Sequence, residues 1–261
     1  VQQKRDGASA SIIYEDEAAA LQQLQDALTL LAGIETKKDA RLEQIAELQT
    51  AIDQELNAIR HILQPQLTTI AVVNQVVTAG ENNHVFFRDG SMSILNDTEL
   101  QPASAESEGI GPVRLTTEHE GSFVSLDENN TFTVLNTATN TWERVGINAV
   151  EGEFASAQHL VHYVERLYIL TPDQIYRHQR VENGEYGPGT AWLTDTIDLS
   201  NVRSLAIDGT VWLADQGTVR RLEQGREIGA NMSSIDPPLG AVRDVWTNAE
   251  TNLLFILDPD L

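Results

Sequence analysis

Four aspartates and a threonine recur along this chain at a spacing that invites a chemical reading. Asp89, Asp127, Thr171, Asp215 and Asp258 stand 38, 44, 44 and 43 residues apart. Carboxylates at equivalent places of a closed repeat line one face with oxygen ligands, which suits a cation or a basic partner. Each also has a local explanation: aspartate tolerates turn geometry and accepts a bond from its own backbone two residues on. The segments "DENN" at 127–130 and "DPDL" at 258–261 hold oxygen ligands, yet neither matches the calcium loop DxDxDG. Trp192 follows the glycine- and proline-containing stretch "GEYGPGTAW" at 184–192, where an exposed indole would anchor a ligand. Trp192, Asp89, Asp127, Asp215 and Asp258 are thus the residues expected to meet a ligand or partner.

Catalytic and metal-binding patterns are not found. His159 and His162 are three apart in a strand-like run, which puts them on opposite faces and denies them a shared metal. No HExxH, GxSxG, phosphate-loop or dinucleotide pattern occurs. There is no cysteine, so disulfides, thiolate metal sites and a thiol nucleophile are excluded. The expectation is therefore no catalytic residue, no metal ligand and no cofactor.

The elements that must position these residues fall into two segments. Over residues 14–63 the apolar period is helical. Leu21, Leu24, Leu28 and Leu31 form one stripe, and Ile45, Leu48, Ile52, Leu56, Ile59 and Leu63 form another. Gly33 suits the end of the first helix, Thr36 with Asp39 the start of the second, and Pro65 its end. The spacing predicts an antiparallel helical hairpin within residues 1–66, acting as a stalk or spacer or as a short coiled coil.

After residue 67 the period becomes two. The runs "HVFFRDGSMSIL", "SFVSLDENNTFTVL", "RLYILTPDQIYRH", "TVWLADQGTVRRL" and "LLFILDPDL" each read as strand, turn and second strand. A further strand precedes each pair: "QVVTAG", "VRLTTE", "HLVHYV", "RSLAID" and "RDVWTN". Three or four strands in each unit of about forty residues is the signature of a β-propeller blade. The blades fall near 75–111, 112–153, 154–199, 200–240 and 241–261, the last reaching only its second strand. Residues 67–74 read as a closing strand. The fold class expected is mainly β with an α-helical N-terminal segment, the propeller comprising about four and a half blades of a six-bladed ring. A closed five-bladed ring completed by residues 67–74 would overturn that count. Trp212 and Trp246 lie on core strands and are expected to pack between blades.

The net charge is −22, and residues 67–261 carry eleven arginines, no lysine and 28 acidic residues. Such a surface repels phosphate backbones and anionic lipid, which argues against a nucleic-acid partner. No apolar run is long enough to span a membrane. The chain opens "VQQKRDGASA" without methionine or a signal-peptide pattern, and reads as an excision from a longer protein.

The stretches "LAIDG", "VWLADQG", "IDPPLG" and "LLFILDP" resemble the C-terminal NHL- or YVTN-like propeller of large bacterial membrane-anchored proteins. Many of these, Chloroflexi-like in distribution, carry an N-terminal phosphatase domain of the PP2C type, and a helical hairpin precedes their propeller. The resemblance implies a sensory or interaction region on the extracytoplasmic side of a bacterial membrane, non-enzymatic in itself even where the parent is a phosphatase. Two other readings stand beside it: a calcium-dependent hydrolase of the propeller type, and a structural surface or assembly scaffold. The partner expected is a protein or small molecule. Self-association has two routes, through residues 14–63 or through the open propeller edge.

Overall fold

The computed structural model describes residues 1–34, 39–63, 75–79, 84–88, 91–96, 99–102, 111, 113–119, 122–136, 141–230, 232, 235–251 and 253–260. The chain divides into two compact units, Val1–Leu67 and Thr68–Leu261. No helix among the described residues is long and apolar enough to cross a membrane.

The first unit has three helices, α1 (Gln2–Ile13), α2 (Glu17–Ala32) and α3 (Asp39–Ile59). The two expected stripes do meet: Leu24 and Leu31 of α2 are buried with Ile52 and Leu56 of α3. The first helix was not expected, because "QQKRDGASASII" carries no apolar stripe. It is held instead by Ala8, which is buried against the same cluster, and by ion pairs from adjacent residues. Lys4 reaches Asp26 at 2.7 Å and Arg5 reaches Glu55, so α1 is tied to both other helices. Asp16 opens α2, its carboxylate accepting the Ala19 N–H at 3.0 Å. Gly33 closes α2 as expected of its position, in the right-handed region at φ −78°. The left-handed residue in this unit's last turn is His61, at φ 54°, and Ile62 N–H returns to Asn57 C=O at 2.8 Å. The helix therefore closes through its own backbone before Pro65. Residues 64–74, which include the expected closing strand, and Thr36 lie outside the described residues.

The second unit is a series of antiparallel meanders. The first sheet runs β1 (Gln75–Ala79), β2 (His84–Arg88), β3 (Ser91–Asn96), β4 (Glu99–Pro102). The second runs β5 (Val113–His119), β6 (Ser122–Asp127), β7 (Phe132–Asn136), β8 (Thr141–Arg144). After β9 (Ile147–Asn148) and the short α4 (Glu153–Ser156), the third sheet takes β10 (His159–Tyr163), β11 (Arg166–Leu170) and β12 (Ile175–Gln179). Its outer strand is β14 (Thr190–Ala191), since β13 (Tyr186–Pro188) leaves the meander to pair with β9 in parallel. The fourth sheet is β15 (Val202–Ile207), β16 (Val211–Asp215), β17 (Thr218–Glu223), β18 (Arg226–Ile228). The fifth, among the described residues, is β19 (Asp244–Trp246) and β20 (Phe255–Leu257). The first strands β1, β5, β10, β15 and β19 neighbour one another in that order, which is how propeller blades stack around an axis.

Packing explains why the second strands read as unbroken apolar runs. In β6, β11 and β16 the side chains of both faces are buried, so the alternation of a half-exposed strand is absent. In β11, Leu167 and Ile169 face the second sheet with Val124, Leu126 and Phe132. The intervening Tyr168 and Leu170 face the fourth with Leu205, Ile207 and Leu213. In β16, Leu213 faces back and Ala214 faces forward to Val242 and Val245. Each fully buried aliphatic side chain contributes about 1.5–3 kcal/mol, so this shared layer holds adjacent blades together. Hydroxyls stitch the first strands: Thr117 Oγ1 accepts the His162 N–H at 3.1 Å, and Ser204 Oγ accepts the Val245 N–H at 3.3 Å.

The "GEYGPGTAW" loop is a clamp. Tyr186 N–H donates to Gly146 C=O at 2.8 Å and Gly189 N–H to Asn148 C=O at 3.1 Å, pinning the tail of the second blade. Beneath it lie His178 and Glu153, both side chains fully buried, with Nε2 and Oε1 2.6 Å apart. His178 Nδ1 donates to Gly187 C=O at 2.9 Å, and Glu153 Oε2 accepts the Val150 N–H at 2.8 Å. Nδ1 must therefore carry its proton, and one further proton lies between Nε2 and Oε1, leaving the pair neutral as a unit. Gly189 is required here: a Cβ would sit 2.8 Å from the imidazole. Breaking such a pair from one side costs about 3–5 kcal/mol, whereas replacing both partners by apolar groups costs far less. Glu153→Leu is thus expected to lower the urea-unfolding free energy by roughly that amount. The double variant Glu153→Leu/His178→Leu should recover a large part of it.

Candidate functional site

The turn after each blade's second strand is where the sequence placed its candidate carboxylates. Asp127 is fully buried. Its Oδ1 accepts N–H groups from Asn129 at 2.8 Å and Thr131 at 2.7 Å, the first of these being the local bond expected of a turn aspartate. Its Oδ2 reaches outside the turn to the Gly111 N–H at 2.9 Å, on the segment that leads into the same blade. Asp258 repeats the arrangement. Oδ1 takes the Asp260 N–H at 3.1 Å, while Oδ2 takes Gly240 at 2.9 Å and Ala241 at 3.1 Å. Thr171, buried, directs its hydroxyl to Gln174 C=O at 3.0 Å and Asp173 Oδ1 at 3.1 Å and accepts the Gln174 N–H at 3.2 Å, all within its own turn. Asp89 lies outside the described residues.

Asp215 is built differently. Its turn, Gln216–Gly217, has both residues left-handed, at φ 50° and 82°, the geometry that matches strand twist in a two-residue hairpin. A Cβ at Gly217 would also meet the Gly240 carbonyl at 2.6 Å. With its turn closed by backbone geometry, Asp215 turns its Oδ2 to Arg220 Nη1 at 2.6 Å. The same nitrogen donates to Asp198 C=O at 2.9 Å, so the incoming segment of this blade is held through arginine rather than directly. Arg220 completes its fork on Glu227, Nε to Oε1 at 2.9 Å and Nη2 to Oε2 at 2.8 Å.

This cluster walls an open pocket of about 440 Å³, lined by Thr196, Ile197, Asp198, Asp215, Gln216, Thr218, Arg220 and Glu227. Of the expected site residues that are described, Asp215 lines it and Trp192, Asp127 and Asp258 do not. Asp215 Oδ1 is buried there without a hydrogen-bond partner. Three carboxylates against one guanidinium make the pocket acidic, and Thr196, Thr218 and Gln216 add hydroxyl and amide groups. The arrangement suits a ligand that donates hydrogen bonds, such as an amine or a polyol. It holds no histidine, and its lining includes no nucleophile paired with a base. Among the described residues no group of three histidine, aspartate or glutamate side chains is placed to share a metal ion.

Arg220, Glu227, Asp198 and the threonines were missed in the sequence. A signal existed: Arg220 and Glu227 are 7 apart across a two-residue hairpin, the diagonal cross-strand position. Trp192 is half-buried against the core shared by the third and fourth sheets, and its backbone N–H donates to Ile175 C=O at 2.8 Å. Trp212 is also half-buried, under Arg221, with its indole N–H shared between the Asp208 oxygens. Trp246 departs from the expectation of inter-blade packing: it is 45% exposed, since no described sheet follows the fifth.

The titrating groups set an acid limit. The Ser200 hydroxyl and N–H hold the Asp198 carboxyl below its usual 3.8, and the Arg220 fork holds Glu227 below its usual 4.5. Burial opposes ionisation of Asp258, but its three backbone N–H donors together outweigh it and keep that carboxyl low. Burial also lowers His159 beneath its usual 6.5, against the pull of Asp244. A depressed carboxylate contributes stability above its unfolded pKa and loses it as pH falls through the folded value. A depressed histidine behaves likewise, because the unfolded chain takes up its proton first. Unfolding free energy measured in urea should therefore be level near neutrality, decline below pH 6.5, and fall more steeply below pH 4.5. His159→Phe should remove the upper step alone.

No family model matches the chain, and no curated protein does. Solved structures resemble it in fold only. PorZ, a surface component of the type-IX secretion system of Porphyromonas gingivalis, aligns at 16% identity and TM-score 0.45, over 70% of this chain and 23% of its own. The chain thus spans well under two thirds of that protein's length. A gluconolactonase from Xanthomonas campestris aligns at 11% identity and TM-score 0.48, over 71% and 68% of the two chains. The extracellular domain of a hybrid two-component system from B. thetaiotaomicron aligns at 11% and 0.43, over 74% and 30%. These neighbours are propeller-type folds. The chain itself is mainly β, with an N-terminal helical segment and, among the described residues, four successive four-stranded antiparallel sheets.

Proposed function

We propose that this chain is a non-catalytic recognition region of a larger bacterial protein, with ligand or partner contact at the pocket around Asp215 and Arg220. One observation carries the reading. The carboxylates Asp127 and Asp258, which the repeat places at equivalent turns, have their oxygens engaged by backbone N–H groups of their own blade. They fasten the scaffold and are not spare ligands for a catalytic cation. The pocket offers hydrogen-bonding groups without a nucleophile and base, which is suited to holding a molecule rather than transforming it. The resemblance to propellers of membrane-anchored proteins supports a sensory role on the extracytoplasmic side, with the helical unit as a spacer.

The competing outcome is a calcium-dependent hydrolase. With glucono-1,5-lactone as substrate, the purified chain is expected to show no rate above buffer with or without calcium, and no calcium-binding heat in titration calorimetry. A calcium-dependent rate abolished by chelator would overturn the proposal. For the pocket itself, n-butylamine or glucose is expected to shift the amide resonances of Gln216 and Thr218, and Thr218→Trp to abolish the shift. If neither probe moves them, the pocket is not the contact.

A further inference from the structure

Donors and acceptors are unequal in the pocket of the fourth sheet. Arg220 supplies its charged donors, and most are spent inside the wall. Nε and Nη2 go to Glu227, and Nη1 goes to Asp215 Oδ2 and to the Asp198 carbonyl. Acceptors are in surplus. Asp215 is 7% exposed, and its Oδ1 sits in the lining with no hydrogen-bond partner. An oxygen in that position costs about 1–3 kcal/mol while it lacks a donor. Asp198 takes the Ser200 N–H and hydroxyl both on Oδ1.

Charge points the same way. Asp198, Asp215 and Glu227 stand against one guanidinium, so the lining carries two uncompensated negative charges. The Ser200 hydroxyl and N–H hold the Asp198 carboxyl low, and the Arg220 fork holds Glu227 low, so both stay ionised at neutral pH. These counts sort the ligand classes. An anion is repelled. A polyol brings as many acceptors as donors and leaves both charges uncompensated. A quaternary ammonium has no N–H and is held by aromatic faces, and none of the eight lining residues is aromatic. A primary ammonium brings three donors, no acceptor and one positive charge.

We propose that this pocket is selective for a small primary amine in its charged form, whose ammonium gives one N–H to Asp215 Oδ1 and the others to the hydroxyls of Thr196 and Thr218. The inference rests on the pocket being the contact surface, and it names what that surface holds. Oδ1 is covered, so the ammonium reaches it as the exposed side chain of Gln216, next in the chain, swings outward.

The test titrates the full chain near neutral pH with n-butylamine hydrochloride and, separately, with 1-butanol, which has the same carbon chain and no charge. Amide resonances of Gln216 and Thr218 report binding. The amine is expected to bind at least about tenfold more tightly than the alcohol, and to weaken severalfold between about 0.05 M and about 0.5 M sodium chloride. Asp215→Asn should abolish the preference for the amine. That substitution also disturbs the Arg220 bridge, so Asp198→Asn is the second variant: the Asp198 side chain bonds Ser200 and not Arg220. Removing its charge should lower amine affinity about threefold. Equal affinity for the two probes would overturn the inference and leave the pocket as a contact site. Shifts from neither probe, nor from glucose, would overturn both. Amine affinity unaltered in both variants and at high salt would put the ammonium elsewhere, and so overturn the inference too.

Discussion

The second, fourth and fifth sheets of the β unit rest on one constraint, that each holds its incoming segment from the turn after its second strand. An antiparallel meander has no inherent reason to hold the segment that leads into it, and a free incoming segment would leave the first strand unanchored at the axis. The chain solves this with a carboxylate at the turn that accepts N–H groups from the incoming backbone. Asp127 does so for Gly111 and Asp258 for Gly240 and Ala241. Asp215 does so at one remove, through Arg220 and the Asp198 carbonyl. Charge-assisted bonds of this kind are stronger than neutral ones, and in a buried setting they fix direction as well as distance. In the fourth sheet the second strand lies between its neighbours, with Leu213 buried on one face and Ala214 on the other.

The same constraint explains which parts of the fold are legible in sequence. The repeat of apolar run, polar turn and second run encodes the meander directly, and "SFVSLD", "RLYIL" and "TVWLAD" correspond to β6, β11 and β16. The spacing of Asp127, Thr171, Asp215 and Asp258 marks the turns, and in three of the four the carboxylate also holds the incoming segment, directly or through Arg220. The helix α1 carries no such signal. Its burial rests on Ala8, and its attachment on Lys4 and Arg5, whose partners Asp26 and Glu55 are distant in sequence. Ion pairs of that sort leave no periodicity to read. The clamp of Glu153 and His178 is invisible for the same reason: neither residue stands in a pattern, and the contact spans 25 residues.

Residue type alone is a poor guide to the site. A repeated aspartate suggests a ring of ligands, yet at Asp127 and Asp258 the carboxylate is consumed by the backbone it organises. The exception is informative. Where the hairpin Gln216–Gly217 closes through its own left-handed geometry, the turn aspartate reaches the incoming segment only through Arg220. It joins Arg220 and Glu227 at the wall of the pocket. A departure from the repeat, and not the repeat itself, marks the place where chemistry is available for recognition.

The claim that turn aspartates are fasteners is tested most directly by Asp127→Asn. An amide keeps the shape but offers one acceptor oxygen where the backbone presents donors to both. The account predicts a loss of about 1–3 kcal/mol in unfolding free energy, with faster hydrogen exchange at the Gly111, Asn129 and Thr131 amides and none elsewhere on the exposed surface. Unaltered stability, with those three amides exchanging as in the parent chain, would contradict it.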